Sequence, residues 1–367
     1  MLRVTVLERG RLIRGDANAG DTAAVADTPS RRVLPAALYD RLYRHEGARE
    51  DRGEAVIFSW RRHHCLVGPW VGVLQIPGLQ LEILPKTDAG AVPGVDENSA
   101  SYLGDVRSNL MEMLARGGLG AVRARGMAHL SLRRGNLHDQ LVEAFFDRAL
   151  TEYRRGPDRG YLSEENNLDT LRGKLILGRH ISRNSAQKHR FYCRHDVLSE
   201  ATPINMCIKQ ACQLLSRRNL PAALHSRCQL LLAILDDVPD VPVQQVSAKP
   251  VFSRQNERFA DIYEFASMVL AGQAPDARAG KAETFSLLFD MDQVFERYIA
   301  AFLMSRVIPH IEGANLFPQA RGHRYGLYHD AAGARRDDVL RLAPDLLFVR
   351  HTPQGVRTLI IDTKWKR

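Results

Sequence analysis

Two strongly apolar runs lie near the C-terminus, Asp345–Arg350 and Arg357–Lys364, with His351-Thr352-Pro353-Gln354-Gly355 between them. Short apolar runs flanking a turn that contains Pro and Gly predict a β-hairpin. Its turn sets the register, and the register sets which side chains share a face. A hairpin centred between Pro353 and Gln354 puts Asp345 directly opposite Asp362. Direct cross-strand neighbours have Cβ atoms about 4.5–5.5 Å apart. Two carboxylates at that spacing repel one another unless a cation lies between them. A divalent metal ion removes the repulsion, and hard oxygen ligands favour Mg²⁺. Lys364 follows Asp362 by two residues, so it shares that face of the strand and can orient a water or offset charge on a phosphate. Asp345, Asp362 and Lys364 are thus the parts that metal-assisted phosphodiester hydrolysis needs. The bland reading of the same string is a surface hairpin with ordinary charges at its ends.

A third acid is available upstream, in Phe289-Asp290-Met291-Asp292-Gln293-Val294-Phe295-Glu296. Leu287–Val307 predicts one long amphipathic helix. Asp290 or Asp292 would cap it or favour its N-terminal dipole. Glu296, four residues after Asp292, shares a face with it, and one of them can complete a metal site from the neighbouring helix.

The chain's 367 residues suggest two or three domains. The expected class is α+β: a β-rich N-terminal domain over 1–130, a mainly helical middle region over 131–280, and an α/β core over 281–367. Val71–Ile76 and Leu79–Leu84 flank Pro77-Gly78, a second hairpin signal. Helical spacing marks Tyr102–Ala115, Leu137–Tyr153, Ile204–Leu215, Ala222–Leu235 and Asn256–Leu270, while Leu171–Leu177 and Arg190–Arg194 read as strands. Residues 271–281 are small and polar, as a linker would be.

The net charge is +9, and only eight of the 51 basic residues are lysine. Arginine forks suit phosphate, so a polyanion is a plausible partner. Three basic clusters offer themselves: Arg116, Arg123, Arg125, Arg133 and Arg134; Arg179, Arg183, Lys188, Arg190 and Arg194; and Arg335 with Arg336. Five cysteines with no CxxC pair fit a reducing cytoplasm. No signal peptide or membrane span is predicted. His180, His189, Cys193 and His195 match no zinc-finger spacing, and His63-His64-Cys65 alternate faces on a strand. Neither GxxxxGK[ST] nor GxGxxG occurs, so nucleotide-driven work would come from another chain.

Several separated segments resemble one family, the McrC-type subunits of McrBC modification-dependent restriction systems. Val71–Ile76 through Leu81-Glu82-Ile83-Leu84-Pro85-Lys86 is similar to the family's N-terminal signature. Arg172-Gly173-Lys174 is similar to its central element, and Phe289–Glu296 to its nuclease-helix start. Pro344-Asp345 with Asp362-Thr363-Lys364-Trp365-Lys366 is similar to its nuclease core. The resemblance implies a PD-(D/E)xK nuclease fold, with Asp345, Asp362 and Glu296 as metal ligands and Lys364 as the catalytic lysine. It also implies a McrB-like AAA+ GTPase partner that the chain binds and stimulates, and modified double-stranded DNA as substrate. The activating surface is expected in the N-terminal and middle regions, because a metal site at the C-terminal hairpin does not also reach the partner's nucleotide. The chain ends three residues beyond Lys364, where family members continue with a strand and helix that close the nuclease fold. An incomplete, less stable nuclease domain is therefore expected, with Leu359 and Ile361 opposite Asp362 in need of a covering layer. The alternative is a non-catalytic adaptor that activates the AAA+ partner around an inert core. A third reading is a basic nucleic-acid-binding protein.

Overall fold

The structure is a computed structural model. It describes residues 1–15, 27–61, 63–86, 98–117, 135–240, 250–272, 284–319 and 344–365, with backbone alone at 325–329 and 335–342. Met1–Phe145 and Ala271–Arg367 form one compact unit, and Phe146–Leu270 a second. The first unit thus combines the whole of the 1–130 segment with 281–367.

The first unit opens on a four-stranded sheet ordered β1-β7-β6-β11. Its strands are β1 (Leu2–Leu7), β6 (Trp70–Ile76), β7 (Leu79–Leu84) and β11 (Phe285–Asp290). The hairpin turn between β6 and β7 uses Gly78 at φ +84°, a conformation that suits glycine. Every residue of β7 is buried, including Gln80 and Glu82, whose polar side chains alternate with Leu79, Leu81 and Ile83. Strand β11 corrects the helix predicted over Leu287–Val307. Its residues alternate buried and half-buried and pair antiparallel with β6. Helix α8 (Met291–Arg306) starts only after Asp290, whose side chain accepts the Asp292 N–H at 3.0 Å. The segment Phe285-Ser286-Leu287-Leu288-Phe289 suits either period, and an open sheet edge decides between them. Gly72 is what admits β11 there. It sits at φ +132°, and a Cβ on it would meet the Leu287 carbonyl oxygen at 2.1 Å.

A second sheet, ordered β3-β2-β5-β4, is built from β2 (Arg11–Gly15), β3 (Arg31–Pro35), β4 (Phe58–Trp60) and β5 (His64–Val67). Helix α1 (Ala36–Glu50) packs with it through Leu42, and one apolar cluster joins Leu12, Leu34, Phe58 and Cys65 to Leu81 and Ile83 of the first sheet.

Glu82 ties this sheet to the helices. It is 6% exposed. It accepts Thr5 Oγ1–H at 2.7 Å, two Arg107 N–H groups at 2.8 and 2.7 Å, and the Leu137 N–H at 2.8 Å. Arg107 belongs to α2 (Ala100–Arg116), and Leu137 begins α3 (Leu137–Tyr153). One carboxylate therefore satisfies an orphan N–H at a helix start and fixes a second helix by a two-pronged bond.

A third sheet, ordered β12-β15-β16, comprises β12 (Ala314–Pro318), β15 (Leu346–Thr352) and β16 (Gly355–Ile361). The pair β13 (Tyr325–His329) and β14 (Arg335–Leu342) is antiparallel. Helix α8 covers the third sheet through Ala300, Leu316 and Leu346, with Ile299, Leu303, Phe348 and Ile361 packed around them. Of the two residues expected to need cover, Ile361 packs into this cluster, while Leu359 remains 57% exposed.

The second unit carries a sheet ordered β8-β10-β9, from β8 (Gly160–Leu168), β9 (Lys174–Leu175) and β10 (Phe191–Ser199). Its helices are α4 (Leu177–Asn184), α5 (Pro203–Ser216), α6 (Ala222–Ile234) and α7 (Ala260–Ala271). The strand predicted over Leu171–Leu177 is corrected to the two residues of β9, followed directly by a helix. Gly173, at φ +67°, lies so close to β10 that a Cβ would meet the Arg194 carbonyl oxygen at 2.4 Å. The Arg172-Gly173-Lys174 element is thus a turn pressed against a strand. Among the described residues, no helix is long and apolar enough to cross a membrane.

Replacing Glu82 with Ala strands a mostly buried guanidinium, and removing one partner of such a pair costs about 3–5 kcal/mol. Chemical denaturation of Glu82→Ala should show a loss of that size. The double variant with Arg107→Ala should lose less than the two singles added together.

Candidate functional site

The hairpin pairs Leu346 with Ile361 through to Thr352 with Gly355, the register the sequence predicts. Thr352 Oγ1–H closes the turn onto the Gly355 carbonyl at 2.8 Å. Asp345 and Asp362 stand one step beyond the last pair, at the open end.

Asp345 is held from two sides. Its carbonyl accepts the Gln319 N–H at 2.6 Å. Its Oδ2 accepts the Thr363 N–H at 2.7 Å and Oγ1–H at 3.0 Å. Thr363 lies between Asp362 and Lys364, so the segment just past β16 orients the acid just before β15. Lys364 Nζ lies 2.8 Å from Asp362 Oδ2, with both side chains more than half exposed. The hydrogen bond to Asp362 and that residue's charge raise the Lys364 pKa, with a smaller contribution from Asp345. The ammonium therefore stays protonated.

Glu296, on α8, joins the group from the neighbouring element. Partial burial raises its pKa, and the negative charge of Asp345 raises it further; a hydrogen bond from the Gln319 side chain and the charge of Arg297 oppose the rise. Asp345 thus influences both Glu296 and Lys364, while Asp362 turns to Lys364. Among the described residues, no three His, Cys, Asp or Glu side chains already gather as a metal-holding group. The donors are hard carboxylate oxygens, which would suit a divalent cation: Asp345 lies near enough for its charge to act on Glu296, and Asp362 stands at the same hairpin end. Asp290 serves as the cap of α8.

Gln319 is the site residue that spacing alone does not reveal. Its backbone stands at φ +52°, uncommon for a residue with a side chain. That bend lets its N–H reach Asp345 while its side chain reaches Glu296. A cavity of about 530 Å³ adjoins Glu296, lined among others by Arg116, Arg297, Phe317 and Gln319.

The basic clusters divide. Arg123, Arg125, Arg133 and Arg134 lie outside the described residues, and only the backbone of Arg335 and Arg336 is described, in β14. Arg116 pairs with Glu112 at 2.9 Å. In the second unit Glu165 takes both Arg179 and Arg194, and Asp169 takes Arg190 at 3.0 Å. Much of that cluster's charge is therefore answered within the unit.

The proximity of Asp345 and Glu296 has a direct readout in a carboxyl NMR titration. In the wild-type chain Glu296 should titrate above an exposed glutamate. Asp345→Asn removes the neighbouring negative charge and should bring it down. Gln319→Ala removes a bond to the charged form and should move it up. An Asp345→Asn variant with an unmoved Glu296 would show that the two acids do not share a site.

No curated protein matches the chain significantly. Among solved structures, the fold is similar to McrBC assemblies of Thermococcus gammatolerans. One is described as a refined half-complex from a tetradecameric assembly of McrB AAA+ hexamers with bound McrC. It matches with a TM-score of 0.63 and 16% identity, over 100% of this chain and 80% of that one. A cryo-EM structure of the McrBC complex from the same organism matches with a TM-score of 0.54 and 19% identity, over 83% of this chain and 87% of the other. A family profile described as "McrBC 5-methylcytosine restriction system component" matches residues 66–367. That span is most of the chain and includes the hairpin, α8 and the first sheet's Glu82 strand, and the chain belongs to this McrBC family.

Proposed function

We propose that the chain is the DNA-cleaving, McrC-type subunit of a modification-dependent restriction system. On this reading it is a Mg²⁺-dependent endodeoxyribonuclease with a PD-(D/E)xK core, acting with and stimulating a McrB-like AAA+ GTPase. The observation that carries the reading is the placement of Asp345, Asp362 and Lys364 at the open end of the terminal hairpin, where Thr363 holds the Asp345 carboxylate and Lys364 Nζ lies 2.8 Å from Asp362 Oδ2. Relatives in fold are described as AAA+ hexamers with bound McrC, which supports the choice of partner.

Asp345, Glu296 and Asp362 would hold Mg²⁺, which supplies positive charge against the scissile phosphate. Thr363 fixes the Asp345 carboxylate, so its acceptor geometry is set before DNA arrives. Lys364 presents a compact, protonated ammonium beside both aspartates, where it offsets negative charge that grows on the phosphate in the transition state. The Gln319 side chain hydrogen-bonds Glu296 and favours its charged form. Recognition of the modified base is assigned to the partner.

One observation favours the adaptor reading instead: Asp362 is engaged by Lys364, and the three acids are not gathered in one group. Cleavage assays with the AAA+ partner, GTP, Mg²⁺ and methylated duplex DNA separate the two. Asp345→Ala, Asp362→Ala and Lys364→Ala should each slow cleavage by about 100- to 1,000-fold and leave GTPase stimulation intact. Lys364→Arg should not restore the rate, because a planar fork does not replace a compact ammonium. Cleavage at the wild-type rate by either Asp variant would refute the nuclease assignment. GTPase stimulation by a wild-type chain that never cleaves would favour the adaptor.

A further inference from the structure

Glu8 stands just past the end of β1 and is 1% exposed. Its N–H donates to the Leu84 carbonyl at 2.8 Å, continuing the pairing with β7. Its Oε1 accepts the Lys86 N–H at 3.0 Å and also the indole Nε1–H of Trp365. Its Oε2 is buried and has no hydrogen-bond partner among the described residues. Burial raises the Glu8 pKa against the pull of the Trp365 and Lys86 bonds. An apolar side chain would fill this position without the desolvation of a carboxyl group. The acid's contribution is therefore the acceptor it presents to the Lys86 N–H and to the indole.

The indole is joined to the candidate site at two points. Trp365 directly follows Lys364 in sequence. Its ring packs on Phe295 with centroids 5.0 Å apart and an interplanar angle of 52°, and Phe295 directly precedes Glu296. One aromatic pair thus links the strand end that carries Lys364 to the helix that carries Glu296. The carboxylate that pins the pair comes from the N-terminal sheet, 357 residues away in sequence.

We propose that Glu8 is a positioning residue of the nuclease site, acting through Trp365 and Phe295 to hold Lys364 and Glu296 in their relative places. The role rests on the nuclease reading above. It makes the N-terminal sheet part of the support of the site rather than a separate module.

The test uses the full chain with its AAA+ partner, GTP, Mg²⁺ and methylated duplex DNA. It compares Glu8→Ala, Glu8→Gln, Trp365→Phe, the Glu8→Ala/Trp365→Phe double variant and Asp362→Ala. Trp365→Phe keeps an aromatic ring against Phe295 and removes only the donor. Residues that support a site in this way typically cost about 10- to 100-fold when removed. Glu8→Ala and Trp365→Phe should each lower kcat for cleavage by that factor, with KM for DNA and GTPase stimulation unchanged. Glu8→Gln keeps the Oε1 acceptor and should restore most of the rate. The double variant should be no slower than the slower single, since Glu8→Ala already removes the acceptor of the indole that Trp365→Phe deletes. Wild-type cleavage by Glu8→Ala beside an inactive Asp362→Ala would overturn the positioning role and leave the nuclease reading standing. So would a Glu8→Gln as slow as Glu8→Ala. Wild-type cleavage by Asp362→Ala would remove the nuclease reading, and the positioning role with it.

Discussion

A slip of one residue between β15 and β16 would undo two things together. Side chains alternate faces along a strand, so the slip would turn Ile361 away from Leu346, Phe348 and Ala300, the small cluster that seats α8 on the sheet. It would also carry Thr363 away from Asp345 Oδ2, breaking both hydrogen bonds that fix that acid. Packing and chemistry therefore depend on the same register. Burial of Leu346, Phe348 and Ile361 in that cluster selects the register, and the carboxylates at the open end inherit their placement. Asp345 and Asp362 need no local structure of their own, because a hairpin closed by Thr352 and Gly355 delivers them.

The first unit relies on buried carboxylates as ties between elements. Glu82 joins β1, α2 and the start of α3. Glu46, on α1, is 2% exposed and accepts the backbone N–H groups of Ile57 and Phe58, which positions the approach to β4. Glu8 joins the end of β1 to Trp365. Each takes a carboxylate out of water, a cost recovered only where several donors converge on it. Such groups are exacting: they accept only arrangements that bring all donors in. They select one mutual placement of strands and helices that apolar packing alone leaves looser.

What the sequence discloses follows from the range of the forces involved. Helix α3 spans Leu137–Tyr153 as its spacing indicates, because an amphipathic stripe is written in neighbouring residues. The terminal hairpin is legible for the same reason, its turn and flanking apolar runs being local. Strand β8 is not: Gly160–Leu168 is polar and largely exposed, and only the partner β10 makes it a strand. Strand β11 took a helical reading because its apolar density fits both periods, and a distant sheet edge chose one. Gln319 escapes notice because its part in the site lies in a backbone bend rather than in a motif. The contact between Glu8 and Trp365 joins the two ends of the chain, and no window along the sequence contains both.

The rigid and the exchangeable parts of the site are separated by exposure. Asp345 is held by Thr363 and Gln319, and Glu296 is partly buried against the charge of Asp345. Lys364 and Asp362 instead form an ion pair in which both side chains are more than half in solvent. Exposed pairs of this kind contribute little, since water screens them and two side chains lose freedom to make them. Breaking the pair is therefore easy, whereas moving Asp345 or Glu296 would disturb packed elements. A ligand that offers Asp362 a stronger cation and Lys364 an anion would exchange both partners at small cost, with the fixed acids as its frame. An arrangement in which the exposed members trade partners and the half-buried members hold still is what a site needs if it is to accept a charged substrate without reorganising the sheet that carries it.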